Sequence, residues 1–151
     1  MDRKVVIIPT YNEKENIEAI IRKVFSLDGE YNVLIIDDGS PDGTATIVKR
    51  LQEEFPDKLF MIERSGKLGL GTAYLTGFKW ALEHGYDYIF EMDADFSHNP
   101  EDLPRLYKAS AGCGGVAIGS RYCDGISVVN WPIGRILMSY CASIYVKTVL
   151  G

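Results

Sequence analysis

The sequence predicts an α/β protein with three layers, helices covering both faces of a mainly parallel sheet. Three observations predict it. Short β-branched runs alternate with longer runs of helical period along the whole chain. The strand-like runs are continuously apolar instead of alternating, which marks strands buried on both faces. The 151 residues carry 46% hydrophobic and 25% charged side chains, the composition of one globular domain with a core of its own.

The elements follow in order. Val5 to Ile8 is a β-branched run stopped by Pro9. Glu13 to Leu27 is a helix with Ile17, Ile20, Ile21, Val24 and Phe25 on one stripe, and Asn12 with Glu15 reads as its N-terminal cap. Val33 to Ile36 is the second strand; Thr44 to Phe55 is the second helix, with Ile47, Val48, Leu51 and Phe55 inward. Leu59 to Ile62 is a third strand, and Gly71 to His84 a third helix carrying Tyr74, Leu75, Phe78 and Leu82. Tyr88 to Met92, Pro100 to Ala109 and Val116 to Ile118 supply a fourth strand, a fourth helix and a fifth strand, with Pro100 in the helix's first turn. Ile133 to Leu150 is an apolar helix with Arg135 and Lys147 as its charges. It has two readings: a core helix packed on the sheet, the favoured one, or a helix lying on a membrane surface.

The formal net charge of −5 excludes a broad basic footprint for nucleic acid. Cys113, Cys123 and Cys141 are odd in number and lack zinc spacing, so they read as reduced, partly buried thiols of a cytosolic protein. No run has the length and apolarity of a membrane span, and Met1 to Lys4 leads straight into a strand without a signal peptide. No Ser–His–Asp or Cys–His set is apparent, and with His84 and His98 as the two histidines a histidine-based triad is not expected.

In parallel sheets ligands bind beyond the carboxyl ends of the strands, so chemistry is sought there. After the first strand, Pro9-Thr10-Tyr11-Asn12-Glu13 offers an aromatic ring and a carboxylate to a base, beside a helix start. Turn chemistry explains Gly39, Pro41, Asp42 and Gly43, but not the adjacent carboxylates Asp37 and Asp38, whose desolvation requires partners. After the third strand, the glycines around Lys67 permit close backbone approach to a diphosphate. The P-loop pattern fails there, and the dinucleotide fingerprint lacks its third glycine. Asp93-Ala94-Asp95 follows the fourth strand and suits a hard divalent ion together with phosphate oxygens. His98 reads as exposed. Arg121, after the fifth strand, can meet phosphate bidentately. A receiver domain would carry its acidic pair after the first strand and a lysine after the fifth, which this chain does not.

Taken together, these passages resemble the family 2 glycosyltransferases. Ile8-Pro9-Thr10-Tyr11-Asn12-Glu13 with Asp37-Asp38-Gly39-Ser40 is similar to that family's base-binding half, and Asp93-Ala94-Asp95 to its metal motif. Asp38 to Thr44, Lys67 to Tyr74, Asp93 to Pro100, Gly119 to Tyr122 and Trp131-Pro132 with Arg135 resemble the branch of dolichyl- and polyprenyl-phosphate mannose synthases. Phe96 stands where that branch more often has leucine. The resemblance implies a nucleotide-diphospho-sugar transferase (GT-A) fold and an inverting transfer of a sugar, mannose from GDP-mannose first, to a polyprenyl phosphate. It implies nucleoside contacts from Pro9, Tyr11, Glu13 and Asp38, and Lys67 near the nucleotide. Asp93, Ala94 and Asp95 would lie at the nucleotide sugar, with Asp93 and Asp95 holding Mg²⁺ or Mn²⁺, Ser97 nearby, and Arg121 on phosphate at the reaction centre. It further implies that residues 1–151 are one catalytic domain ending before the family's acceptor-loop segment, cytoplasmic or peripheral on the cytoplasmic membrane face, with a membrane-anchored partner as one option. A UDP-sugar transferase of the same family and a non-catalytic nucleotide-sugar-binding domain remain the alternatives.

Overall fold

Four parallel strands form the sheet: β1 (Lys4–Thr10), β2 (Tyr31–Asp37), β3 (Leu59–Glu63) and β4 (Tyr88–Glu91), in the order β3-β2-β1-β4. The computed structural model describes residues 2–119 and 132–150, and the chain divides into two units, Met1–Ala117 and Ile118–Gly151. In the first unit, the period-two pleat sends Val6, Ile8, Val33 and Ile35 to one face, where they pack with α1 (Ile17–Phe25), α2 (Thr44–Glu54) and α4 (Leu103–Cys113). Val5, Ile7, Leu34 and Ile36 go to the other face, under α3 (Leu70–Glu83). All eight are 0% exposed, and each contributes roughly 1.5–3 kcal/mol of burial. The expected three-layer αβα architecture with a parallel sheet is therefore the one observed.

Several elements differ from expectation, each for a local reason. Pro9 does not stop β1, which runs to Thr10. Asp38 donates its N–H to Thr10 O and Met92 donates to Ile7 O, so Thr10 faces β2 while Ile7 and Pro9 face the β4 side. The β1–β4 ladder ends at Ile7 and Glu91, so the missing N–H of Pro9 breaks no pairing. Helix α1 starts at Ile17, not Glu13, and Asn12 is not its cap. Asn12 sits at φ 62°, and the N–H groups of Asn12, Glu13 and Lys14 go to Ser40, Thr44 and Asp42 instead of to a helix. On α3 the fully buried residues are Ala73, Gly77 and Ala81; Tyr74 and Phe78 pack against the core as expected, while Leu75 and Leu82 are exposed. Apolar periodicity selects large side chains, but a helix lying close on a strand selects small ones. The fourth helix opens with a 3₁₀ turn, Pro100–Asp102, capped by Asn99 Oδ1, which accepts the Glu101 N–H at 3.1 Å. Val116 to Ile118 forms no strand, and Val116 is 87% exposed. The run follows the left-handed Gly114 that closes α4, and three apolar residues without a paired neighbour gain neither ladder nor burial. Cys113 and Cys141 are exposed free thiols, not partly buried ones, and Cys123 lies outside the described residues.

In the second unit, α5 (Ile133–Leu150) forms as expected. Ile133, Leu137, Met138, Tyr140, Ile144, Tyr145, Val146 and Val149 of this helix are exposed. Among the described residues no helix is long and apolar enough to cross a membrane.

A Cβ placed on Gly77 would lie 2.7 Å from Ile7 Cγ2 and 2.9 Å from its Cδ1, so α3 rests against β1 at a distance only glycine allows. Gly77→Val should destabilise the protein by about 1–3 kcal/mol in urea denaturation. Leu75→Ala, on the exposed side of the same helix, should stay within about 0.5 kcal/mol of the native chain.

Candidate active site

The strand order reverses between β1 and β4, which makes the crevice beyond their carboxyl ends the topological switch point of the sheet. The segments that follow all four strands converge on that edge.

The end of β2 organises this edge. Asp37 is 1% exposed; its Oδ1 accepts from Thr10 Oγ1 at 2.9 Å and from Ser40 Oγ at 2.6 Å, and its Oδ2 accepts the Ser40 N–H at 2.9 Å. Asp38 is also buried. Its Oδ1 accepts from Arg64 Nε at 2.6 Å and lies 2.5 Å from Arg64 Nη2, while Oδ2 accepts the Leu68 N–H at 3.1 Å. Arg64 in turn donates to Thr72 Oγ1 at 2.8 Å and to Gly69 O at 3.2 Å, spanning the loop between β3 and α3. The desolvation of the two carboxylates is thus answered inside the protein. Asp42 adds a third tie: its Oδ2 accepts the Lys14 N–H at 3.0 Å, and its Oδ1 accepts from Thr44 N at 3.0 Å and Oγ1 at 2.6 Å. Desolvation pushes the Asp42 carboxyl up, but the hydrogen bonds from Thr44 and Lys14 together hold it below the ordinary carboxylate range.

The other expected contacts distribute as follows. Tyr11 and Lys67, from different loops, are brought together, with Lys67 Nζ 4.5 Å from the centre of the Tyr11 ring. Glu13 is partly buried; its carboxylate accepts from Asn16 Nδ2 at 3.1 Å and its N–H is held by Thr44. Ala94 is buried in the core on the α1 side and anchors the loop after β4, which leaves Asp93 and Asp95 on either side of it. Asp93 Oδ1 accepts from Tyr74 Oη at 3.2 Å, and Oδ2 lies 3.8 Å from His98 Nε2. His98 is exposed as expected, and its Nδ1 accepts the Asp93 N–H at 3.2 Å. Burial, the Asp93 charge and this hydrogen bond all push the Tyr74 hydroxyl well up, so it stays a donor. Asp95 Oδ1 accepts the Ser97 N–H at 2.9 Å, and hydrogen bonding from Ser97 holds its carboxyl below the ordinary range. Phe96, between them, takes φ 60°, a conformation that bulky side chains rarely adopt. Arg121 lies outside the described residues.

Sequence reasoning missed Arg64 and, while it set Tyr74 against the core as observed, missed the contact of its hydroxyl. The first was legible in the register: Asp37 aligns with Glu63 in the β2–β3 ladder, so Asp38 and Arg64 follow side by side. Tyr74 was assigned to the core, where its ring lies, and nothing in the one-dimensional pattern marks that its hydroxyl meets Asp93.

The family model "Glycosyl transferase family 2" matches residues 5–147. The chain belongs to that family. Its curated relatives include a polyprenol monophosphomannose synthase of Mycolicibacterium smegmatis, 46% identical over 99% of this chain. An undecaprenyl-phosphate mannosyltransferase of Micrococcus luteus is 44% identical over 99% of the chain, and a dolichol-phosphate mannosyltransferase of Pyrococcus furiosus is 42% identical over 89%. The chain spans 56%, 60% and 37% of those three relatives' lengths. Among solved structures, a mannosyltransferase of Pyrobaculum calidifontis in complex with GDP-Man and Mn²⁺ aligns at TM-score 0.54 and 34% identity, over 62% of this chain and 27% of that one. S. aureus TarS aligns at TM-score 0.62 and 20% identity over 81% of this chain and 40% of that one, a likeness of fold alone. The family 2 domain of this chain thus has the GT-A glycosyltransferase fold the resemblance implied.

Two predictions follow from the ties at β2. Arg64→Met should cost about 3–5 kcal/mol, because it leaves the Asp38 charge buried and unpaired, and the double variant with Asp38→Asn should cost less than the sum of the two singles in a urea-denaturation cycle. Asp42 has a lowered folded-state pKa, so its contribution is present above the unfolded value of about 3.9 and is lost as pH falls through the folded one. The stability gap between the native chain and Asp42→Asn should therefore be constant around neutral pH and close on acidification below about pH 4.

Proposed function

We propose that this chain is the donor-binding part of an inverting, metal-dependent glycosyltransferase that moves mannose from GDP-mannose to the phosphate of a polyprenyl phosphate. The observation that carries the reading is the loop after β4. Two carboxylates, Asp93 and Asp95, sit partly exposed at the switch point of a family 2 domain whose relatives are named as polyprenol-, undecaprenyl- and dolichol-phosphate mannose transferases.

The donor set fits a hard divalent cation. Hydrogen bonding from Ser97 favours the ionised form of Asp95, and both carboxylates offer oxygen. That pattern suits Mg²⁺ or Mn²⁺, which take one or two carboxylates and complete their shell with phosphate oxygens and water. The ion, when bound, neutralises charge building on the departing diphosphate. The protein's own residues bind and orient. Tyr11 offers a ring and Lys67, 4.5 Å from it, a cation for a nucleoside and its phosphates. Pro9, Glu13 and Asp38 shape the nucleoside side, and Arg121 follows the sheet in sequence as a phosphate contact. A phosphate acceptor has a second pKa near ~6 and is anionic at neutral pH, so the reaction asks for positioning, not for a strong side-chain base. Inversion follows when that phosphate attacks the anomeric carbon opposite the nucleotide. An acceptor carried by a lipid implies membrane contact, and the exposed apolar residues of α5 are compatible with a peripheral mode.

Calorimetry with GDP-mannose and UDP-glucose, each with and without Mn²⁺, tests the reading. Binding of GDP-mannose that requires Mn²⁺ and disappears in Asp95→Ala is the expected result. Affinity for GDP-mannose that is the same with and without the metal would overturn the metal assignment, and preference for UDP-glucose would move the chain to a glucosyl-type transferase.

A further inference from the structure

We propose that Tyr74 is a positioning residue for the metal centre: its hydroxyl donates to Asp93 Oδ1 and fixes the orientation in which that carboxylate meets a divalent cation. The inference rests on the reading of Asp93 as a metal ligand.

The case starts from how α3 is laid on the sheet. Ala73, Gly77 and Ala81 recur every four residues and face the core, so the helix approaches β1 as closely as Gly77 permits against Ile7. That close approach fixes the height of the turn that carries Tyr74. Its ring joins the α3-side core and stacks with Phe78 at 6.4 Å between centroids, leaving rotation of the side chain little room. The hydroxyl then reaches the second residue of the loop beyond β4 and meets Asp93 Oδ1 at 3.2 Å. The ring needs no such bond to pack, and a tyrosine placed only for packing has no reason to aim its hydroxyl at a carboxylate of the switch point.

The consequence is geometric. Asp93 is half-exposed on a short loop, and a free carboxylate there rotates about its own bond. Engaging one oxygen from the protein side restricts that rotation and leaves the remaining lone pairs directed outward. Hydrogen bonds of this kind to metal-binding carboxylates tune affinity by about 10- to 100-fold. Thr72, two residues earlier, holds the Arg64 guanidinium at 2.8 Å, so the same helical turn supports both the Asp38 side and the Asp93 side of the crevice.

The test is a titration of Mn²⁺ into the protein in the presence of GDP, followed by electron paramagnetic resonance of free Mn²⁺, on the native chain, Tyr74→Phe and Phe78→Leu. Tyr74→Phe removes the hydroxyl and keeps the ring. It should weaken Mn²⁺ binding by about 10-fold or more while the thermal midpoint holds. Phe78→Leu disturbs the packing but keeps the hydroxyl, and should retain Mn²⁺ affinity. Native Mn²⁺ affinity in Tyr74→Phe would overturn the inference while leaving Asp93 as a ligand, and so would an equal loss in Phe78→Leu, which would trace the effect to packing. If the native chain binds no Mn²⁺ with GDP, the reading of Asp93 fails and the inference falls with it.

Discussion

The structure depends on two adjacent carboxylates at the end of β2. Asp37 and Asp38 are buried where the strand leaves the sheet, and unanswered charges there would cost several kcal/mol each. Both are answered, but in different directions. Asp37 reaches back to Thr10 of β1 and forward to Ser40, closing the turn behind its own strand. Asp38 reaches sideways to Arg64 and to the backbone of Leu68 beyond β3. Three loops that sequence leaves far apart are thereby held in one arrangement. Ser40, Asp42 and Thr44 extend the same logic by capturing the N–H groups of Asn12, Glu13 and Lys14, which is why α1 begins late. The edge is a hydrogen-bonded platform and not a set of independent loops.

The loop after β4 is built otherwise. Ala94 anchors it in the core, yet Asp93 and Asp95 are partly exposed, and their protein contacts include a tyrosine hydroxyl, a nearby histidine and the hydrogen bonds from Ser97. Phe96 adopts a left-handed conformation between Asp95 and Ser97, which costs on the order of 1–3 kcal/mol for such a residue. Strain beside under-partnered carboxylates, at the switch point of the sheet, is where ligand chemistry is expected. The contrast is internal to one protein: carboxylates deep in the edge are consumed by architecture, and those at the rim retain capacity for something outside.

Much of this was legible in the sequence, and the failures have physical causes. Continuous β-branched runs are an unambiguous signal, so β1 to β4 and their parallel arrangement were readable, as was the position of Pro100 at a helix start. Leu75 and Leu82 misled because hydrophobicity was equated with burial; at close helix–strand contact the buried face must be small, and Gly77 is its clearest mark. Val116 to Ile118 misled because propensity was read without a partner to pair with. Asn12 misled because a capping residue was weighed against the helix alone and not against Ser40 in a distant loop. The loops after β1, β2, β3 and β4 lie together at the carboxyl edge, since their position follows from the fold. Their mutual contacts, Lys67 on Tyr11 and Arg64 on Asp38, depend on register between strands and were recovered from the structure. The expected phosphate contact of Arg121 lies outside the described residues.

The pairing of Asp38 with Arg64 bears on how a nucleoside can use this platform. A carboxylate offers about four lone-pair sites. Arg64 occupies Oδ1 with Nε and Nη2, and the Leu68 N–H occupies one site on Oδ2. A base that took Asp38 as acceptor would have one lone pair of Oδ2 to use, or would share Oδ1 with a guanidinium that Thr72 and Gly69 already hold in place. In either case the direction of the remaining acceptor is set by the protein before the ligand arrives. A fixed acceptor rejects a base whose donor is misplaced, because the buried charge would then lose contact without gaining one. Under the proposed function, the network that satisfies Asp38 would narrow what Asp38 can recognise, so that stability and selectivity at this edge would arise from the same hydrogen bonds.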